Sequence, residues 1–279
     1  MKKALLSEVI EVQTDVPEVG GLLETFFQAF PPGQGAPTLV YTIRASNGKL
    51  WVLEGNGKAE VPLFCGDSPV EIVYLIESFF YNNILPSVNE WLLLHAAVLA
   101  KGGRALLLLG PSGSGKSLLT TALLEGTGGF SYLSDDMAPL FVDPGCGQCR
   151  VAPFPRAIRL REWVPLPFSL PPNQCLSLSS QSQALCFYFP VQRFATAESP
   201  VSLLLFLECN PSRLELLRLK KGEAALYLTA LTLNKSGYLM DGGLRFIARV
   251  AQEVPTYRLL WNEPFRAVET IEKLFLELK

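Results

Sequence analysis

Eight consecutive residues constrain this chain more than any others: Gly110-Pro111-Ser112-Gly113-Ser114-Gly115-Lys116-Ser117, which fits G-x-x-x-x-G-K-[ST]. Residues 105–109 before them, Ala-Leu-Leu-Leu-Leu, read as a short apolar strand. Residues 118–125 after them read as a helix that starts at Leu118. A glycine loop between strand and helix turns its backbone N–H groups and the helix N-terminus toward one point, which suits a chain of phosphates. Gly113 and Gly115 permit the backbone turns this needs. Lys116 is expected to reach the terminal phosphates as a point charge, and Ser117 to offer its hydroxyl to Mg²⁺. The implied ligand is a nucleoside triphosphate such as ATP, contacted by residues 110–117 and Leu118.

A magnesium–nucleotide site also wants a carboxylate at the end of a neighbouring strand. Ser134-Asp135-Asp136 follows the short strand-like run Phe130 to Leu133, about twenty positions past Lys116. Adjacent strand side chains point to opposite faces, so the two acids divide the work. One holds the metal and the other accepts a proton from an incoming hydroxyl. The competing reading is a solvated acidic turn. His95, the only histidine, lies within Leu94-His95-Ala96-Ala97 beside the loop strand. It can polarise a phosphate oxygen or orient an aspartate, or simply be a hydrogen-bonded core residue. Phe154-Pro155-Arg156-Ala157-Ile158-Arg159-Leu160-Arg161 supplies cations where charge develops during phosphoryl transfer. Arg156, pinned by Pro155, is the expected one, against the alternative of a surface arginine beside a turn.

Composition removes several classes. The net charge of −2 gives no basic face for nucleic acid. Although 49% of residues are hydrophobic, no apolar run reaches the ~18 residues of a membrane helix. The longest, from Trp91 to Ala100, is interrupted by His95 and stops at Lys101. Near the start, Glu8 and Glu11 cut short what begins like an export signal. The expected location is therefore the cytoplasm, with no membrane partner. Six cysteines in 279 residues are too sparse for a disulfide scaffold. Cys146-Gly147-Gln148-Cys149 has no matching second pair and reads as a turn between strands, and Cys175 and Cys186 are poor ligand candidates. So apolar a chain could also hide a subunit interface, making a homo-oligomer possible.

Two regions are expected. Residues 1–87 read as a small accessory α+β region: strands over 38–45 and 50–54 around Ser46-Asn47-Gly48-Lys49, then Gly55-Asn56-Gly57 as a second hairpin signal. Ser68-Pro69-Val70-Glu71 opens a helix with Val70, Val73, Ile76 and Phe80 on its buried face. Residues 88–279 carry the glycine loop. A strand over 91–99 turns at Lys101-Gly102-Gly103-Arg104 straight into the loop strand, too tightly for a parallel crossover, so the sheet is predicted to be mixed. Residues 140–142 and 150–152 form a hairpin around the cysteine turn, and 163–200 hold few clear elements. A buried strand over 201–207, helices over 223–233 and 238–254, a strand over 256–261 and a last helix from Pro264, with Phe265, Val268, Ile271 and Phe275 on one side, complete the reading.

The order of these parts resembles the HPr kinase/phosphorylase family, and the nucleotide-binding core of phosphoenolpyruvate carboxykinases that shares its fold. The residues that carry the likeness are Leu94-His95-Ala96-Ala97, the run Gly110 through Ser117, Ser134-Asp135-Asp136 and Phe154-Pro155-Arg156, within residues 88–165. The resemblance implies an α/β fold with a mixed-sheet P-loop kinase core. It implies an ATP- and Mg²⁺-dependent kinase acting on a hydroxyl: serine of a peptide or protein, as in HPr-kinase-like proteins that modify precursor peptides of ribosomal natural products. By the same resemblance Asp135 is the base, Asp136 the metal-side ligand with Ser117, and His95 lines the phosphate site. The Arg-Gly-Leu-Gly segment that true HPr kinases carry after the double aspartate is absent, so the likeness extends to the reaction class and not to HPr as acceptor. A small-molecule kinase, and a nucleotide-gated peptide-binding module without catalysis, are the alternatives.

Overall fold

Strand and helix periodicity in residues 1–88 builds one five-stranded sheet with two helices. The computed structural model describes residues 1–55, 60–87, 90–161, 170–179, 184–235 and 242–278, and these fall into two units, Met1–Val88 and Asn89–Lys279. In the first, β1 (Lys2–Leu5), β2 (Glu8–Thr14), β3 (Leu39–Ser46), β4 (Lys49–Glu54) and β5 (Val61–Gly66) lie in sequence order. Helix α1 (Pro17–Phe27) crosses between β2 and β3, which are therefore the parallel pair. Asn47 and Gly48, at φ 51° and 75°, make the tight β3–β4 turn whose twist matches the strands it joins. The Asn56-Gly57 signal lies outside the described residues.

Helix α2 (Pro69–Ser87) starts as the capping residues suggest. Ser68 Oγ accepts from the Glu71 N–H at 3.2 Å, while the Glu71 carboxylate reaches back to the N–H of Asp67, one residue earlier than expected, at 2.9 Å. Its buried stripe is Ile72, Val73, Ile76 and Phe80; Val70, in the first turn, is only half-buried. Phe80 closes the core against Phe27 of α1 and Tyr41 of β3, with ring centroids 5.8 and 4.9 Å away.

The second unit runs β6 (Leu92–Leu94), β7 (Ala96–Lys101), β8 (Arg104–Leu109), α3 (Lys116–Glu125), β9 (Ser131–Ser134), β10 (Ala138–Val142), β11 (Cys149–Val151), β12 (Ile158–Arg161), β13 (Cys175–Ser179), β14 (Ala184–Tyr188), β15 (Ser199–Cys209), β16 (Glu215–Arg218), α4 (Lys221–Leu231), α5 (Leu244–Glu253), β17 (Thr256–Trp261) and α6 (Pro264–Glu277). Its main sheet has the order β9-β7-β8-β15-β17-β16. Strands β8, β15 and β17 are parallel, while β7 and β16 run antiparallel to their neighbours, so the sheet is mixed. The start of β15 also pairs with β11, which continues through β10 to β6.

Residues 105–109 are all fully buried, as strands covered on both faces must be. Leu107 and Leu109 face a core built with Ala224 and Leu228 of α4 and Ile247 and Val250 of α5. Leu106 and Leu108 face the opposite core, with Leu119 and Leu123 of α3 and Ile271 and Phe275 of α6. Each such leucine contributes roughly 1.5–3 kcal/mol by leaving water. The loop that follows is thus fixed to a strand and a helix that are both held in packed cores.

Three expectations need correction. The strand expected over 91–99 breaks at His95, whose N–H bonds to Leu231 O at 2.8 Å; β6 then pairs with β10 and β7 with β8. Residues 163–200 contain β13 and β14, which form a three-stranded sheet in the order β12-β14-β13. In α6 Phe265 is 52% exposed, and the buried face is Ala267, Ile271, Leu274 and Phe275, because Pro264 begins the helix one turn before the packed stretch. Apart from those three, the helix expected over 238–254 is present as α5, Leu244–Glu253, and residues 236–241 lie outside the described residues. Cys146 lies in the β10–β11 connection and Cys149 begins β11, and none of the six cysteines is in a disulfide. No helix among the described residues is long and apolar enough to cross a membrane.

Candidate phosphate-binding site

Residues 110–117 leave the end of β8, reverse direction and enter α3. Three glycines make that path possible. Gly110, Gly113 and Gly115 adopt φ of 152°, 85° and 91°. A Cβ on Gly110 would stand 3.0 Å from Leu207 O, and one on Gly115 would fall inside the Trp261 indole. Trp261, at the end of β17, donates from Nε1 to Ser114 O at 3.2 Å and so fixes the loop from below. Helix α3 starts at Lys116 with no side-chain cap, leaving its first N–H groups without a side-chain partner. Gly115→Ala is expected to lower stability by about 1–3 kcal/mol through left-handed strain and ring overlap. Thermal melting should show a drop of several degrees; an unchanged melting temperature would mean that the loop relaxes freely.

Lys116 is buried and folded back across the loop. Its Nζ donates to Gly110 O at 2.8 Å and Pro111 O at 3.2 Å. Burial pushes its pKa below the usual lysine value, and the charges of Asp136 and Asp135 partly offset this. Leu118 of α3 packs at the margin of the adjacent core.

The acids lie where β9 ends. Phe154 N–H bonds to Leu133 O at 2.9 Å and holds the end of β9 beside residues 154–156. Beyond Ser134 the chain leaves the strand, and Asp136 takes φ of 63°, a left-handed conformation uncommon for any residue but glycine, although aspartate tolerates it better than most. The two carboxylates are separated by that kink and not, as expected, by strand alternation.

Their surroundings differ sharply. Asp135 is 1% exposed. Its Oδ2 accepts from Ser117 Oγ at 2.9 Å, and its Oδ1 is buried with no hydrogen-bond partner among the described residues. Burial, helped by the neighbouring Asp136 charge, pushes its pKa up to about 6. Asp136 sits 3.5 Å from His95 Nε2 and is bonded by the Arg159 guanidinium. Burial works against its ionisation, but the hydrogen bond with His95 and the charges of Arg159 and Arg156 outweigh that and hold its carboxyl far below the usual range.

The folded chain therefore brings Lys116, Ser117, Asp135, Asp136 and His95 into one cluster. Ser117, expected beside Asp136, is bonded to Asp135 instead. Arg156 is no surface residue: it is 3% exposed, and its carbonyl accepts from Tyr132 Oη at 2.7 Å. Sequence reasoning passed over Arg159, which touches Asp136 directly. The signal was present in the alternation of β12, where Ile158 and Leu160 are buried and Arg159 points the other way. The hydroxyl of Ser117 and the carboxylate oxygens of Asp135 and Asp136, among them the orphaned Asp135 Oδ1, are hard oxygen donors, a set that fits Mg²⁺.

No protein-family model matches the chain. No curated protein matches it either. Among solved structures it is similar to the HPr(Ser) kinase/phosphatase from Coxiella burnetii, at 12% identity over 66% of this chain and 91% of that one, with a TM-score of 0.33. That is a distant structural relationship.

Proposed function

We propose that this chain is a P-loop kinase, dependent on ATP and Mg²⁺, that transfers the terminal phosphate to a hydroxyl, with serine of a peptide or protein as acceptor. One observation carries the reading: Ser117, the hydroxyl residue that closes the loop motif at the start of α3, is bonded to a fully buried carboxylate beside the buried Lys116 ammonium. Outside a phosphate–metal site, that grouping would be a costly way to fill an interior.

In this reading the loop N–H groups and Lys116 hold the triphosphate, with Ser117 and Asp136 as metal ligands. Bound Mg²⁺ would neutralise charge on the β- and γ-oxygens. Asp135 takes the proton from the acceptor hydroxyl as the new O–P bond forms and the bond to the leaving ADP oxygen breaks. Its raised proton affinity suits that role, whereas Asp136 is held ionised. Arg159 and His95 position Asp136, and Arg156 adds positive charge near the transferring group.

Incubation with γ-labelled ATP, Mg²⁺ and a panel of acceptors tests this. Label on a serine peptide or protein is the expected result. Label on a metabolite would move the activity to a small-molecule hydroxyl, and nucleotide binding with no turnover against any acceptor would leave a binding module in its place.

A further inference from the structure

The glycine loop has a second side. The acids follow β9, which lies two strands from β8 in one direction; β15 and β17 lie in the other. On that other side is a cavity of about 560 Å³, bounded by loop residues 110–114 and by Phe206, Glu208, Tyr227, Leu231 and Arg258. Neither aspartate, nor Lys116, His95 or Arg159, lines it. A hydroxyl lodged there would not meet Asp135, the base of the proposed reaction, so in that reading the cavity is not where the acceptor reacts.

Its walls suit a flat ring. Phe206 and Tyr227 present aromatic surfaces with centroids 5.2 Å apart and planes tilted by 41°. Phe206 and Arg258 are paired across β15 and β17 and so share one face of the sheet. The Arg258 guanidinium lies 3.7 Å from the Glu208 carboxylate, and its Nε is buried with no hydrogen-bond partner among the described residues. A cation-borne donor and a carboxylate acceptor side by side match the mixed acceptor and donor edge of a purine. The volume is that of a small-molecule pocket, mostly apolar with a few directional groups.

We propose that this cavity seats the purine base of the nucleotide whose phosphates lie on the loop, an inference that rests on the kinase reading. The nucleotide then enters from the β15–β17 side and presents its terminal phosphate toward the acids, leaving the acceptor to approach from the β9 side.

Calorimetry with Mg²⁺ and either ATP or inorganic tripolyphosphate tests this. The parent protein should bind ATP about tenfold or more tightly than tripolyphosphate, since base–aromatic contact is worth that much. Tyr227→Ala should weaken ATP by about tenfold and leave tripolyphosphate unchanged, and Tyr227→Phe, which keeps the ring, should retain ATP affinity. Arg258→Gln serves as a second variant, and melting temperatures show that each variant folds. Equal affinity of the parent for both ligands, or a parallel loss of both on Tyr227→Ala, would overturn the base pocket while leaving the loop reading intact. Failure of the parent to bind either ligand would overturn both.

Discussion

On the proposed function, Asp135→Asn is expected to reduce phosphoryl transfer by about 10²–10⁴-fold, the range for loss of a positioned general base, while Mg–ATP still binds. The substitution is nearly isosteric, and the asparagine oxygen can still accept from Ser117, so the loop keeps its geometry. What disappears is the ability to take a proton. Asp135 has that ability because it is fully buried beside a second carboxylate, which brings its pKa to about 6, within reach of the pH at which a cell works. Asp136 cannot substitute: its hydrogen bond with His95 and its ion pair with Arg159 favour the charged form too strongly for it to hold a proton. Single-turnover transfer from γ-labelled ATP and calorimetry with Mg–ATP check the two halves separately. Transfer at the parent rate would remove Asp135 from the base role. Loss of Mg²⁺ affinity together with transfer would show that its bond to Ser117 marks the metal side, and would exchange the roles of the two acids.

The elements best read from sequence are those whose local pattern and burial agree. Residues 105–109 form a continuous apolar run, and 201–207 one broken only by Ser202; both became buried strands of the main sheet. The Lys101-Gly102-Gly103-Arg104 turn became the hairpin that makes the sheet mixed. Misreadings arise where a distant partner decides. His95 lies in an unbroken apolar pattern, yet a carbonyl from residue 231, in α4, takes its N–H and splits the strand. Strands β13 and β14 are short, β13 with serine at alternate positions, and β14 depends on pairing with both β13 and β12. The separation of Asp135 from Asp136 was expected from strand geometry but comes from a left-handed residue, which no neighbour in the sequence announces. Arg159 was overlooked beside Arg156 because a proline next to a cation stands out in a sequence, whereas the alternation that separates Arg159 from Ile158 and Leu160 runs over only four residues.

Lys116→Met should lower both Mg–ATP affinity and transfer by about 10²–10³-fold, the cost of removing one charged donor from a preorganised anion site, with no loss of stability in the free protein. The second half of that expectation is what separates a functional lysine from a structural one. In the structure the Lys116 hydrogen bonds go to two loop carbonyls, Gly110 O and Pro111 O. Burial disfavours its charged form, and the two aspartates only partly compensate. A buried ammonium held by neutral acceptors gains little for the fold. A triphosphate would replace those carbonyls with anionic oxygens, so the desolvation already incurred becomes useful only when the ligand is present. Methionine fills the same volume without a charge, and sites of this kind commonly gain stability when their functional group is removed. Thermal melting without ligand, set beside calorimetry with Mg–ATP, measures both quantities. A large fall in melting temperature would make Lys116 a strut of the loop, and parent-level ATP affinity in the variant would place the phosphates elsewhere.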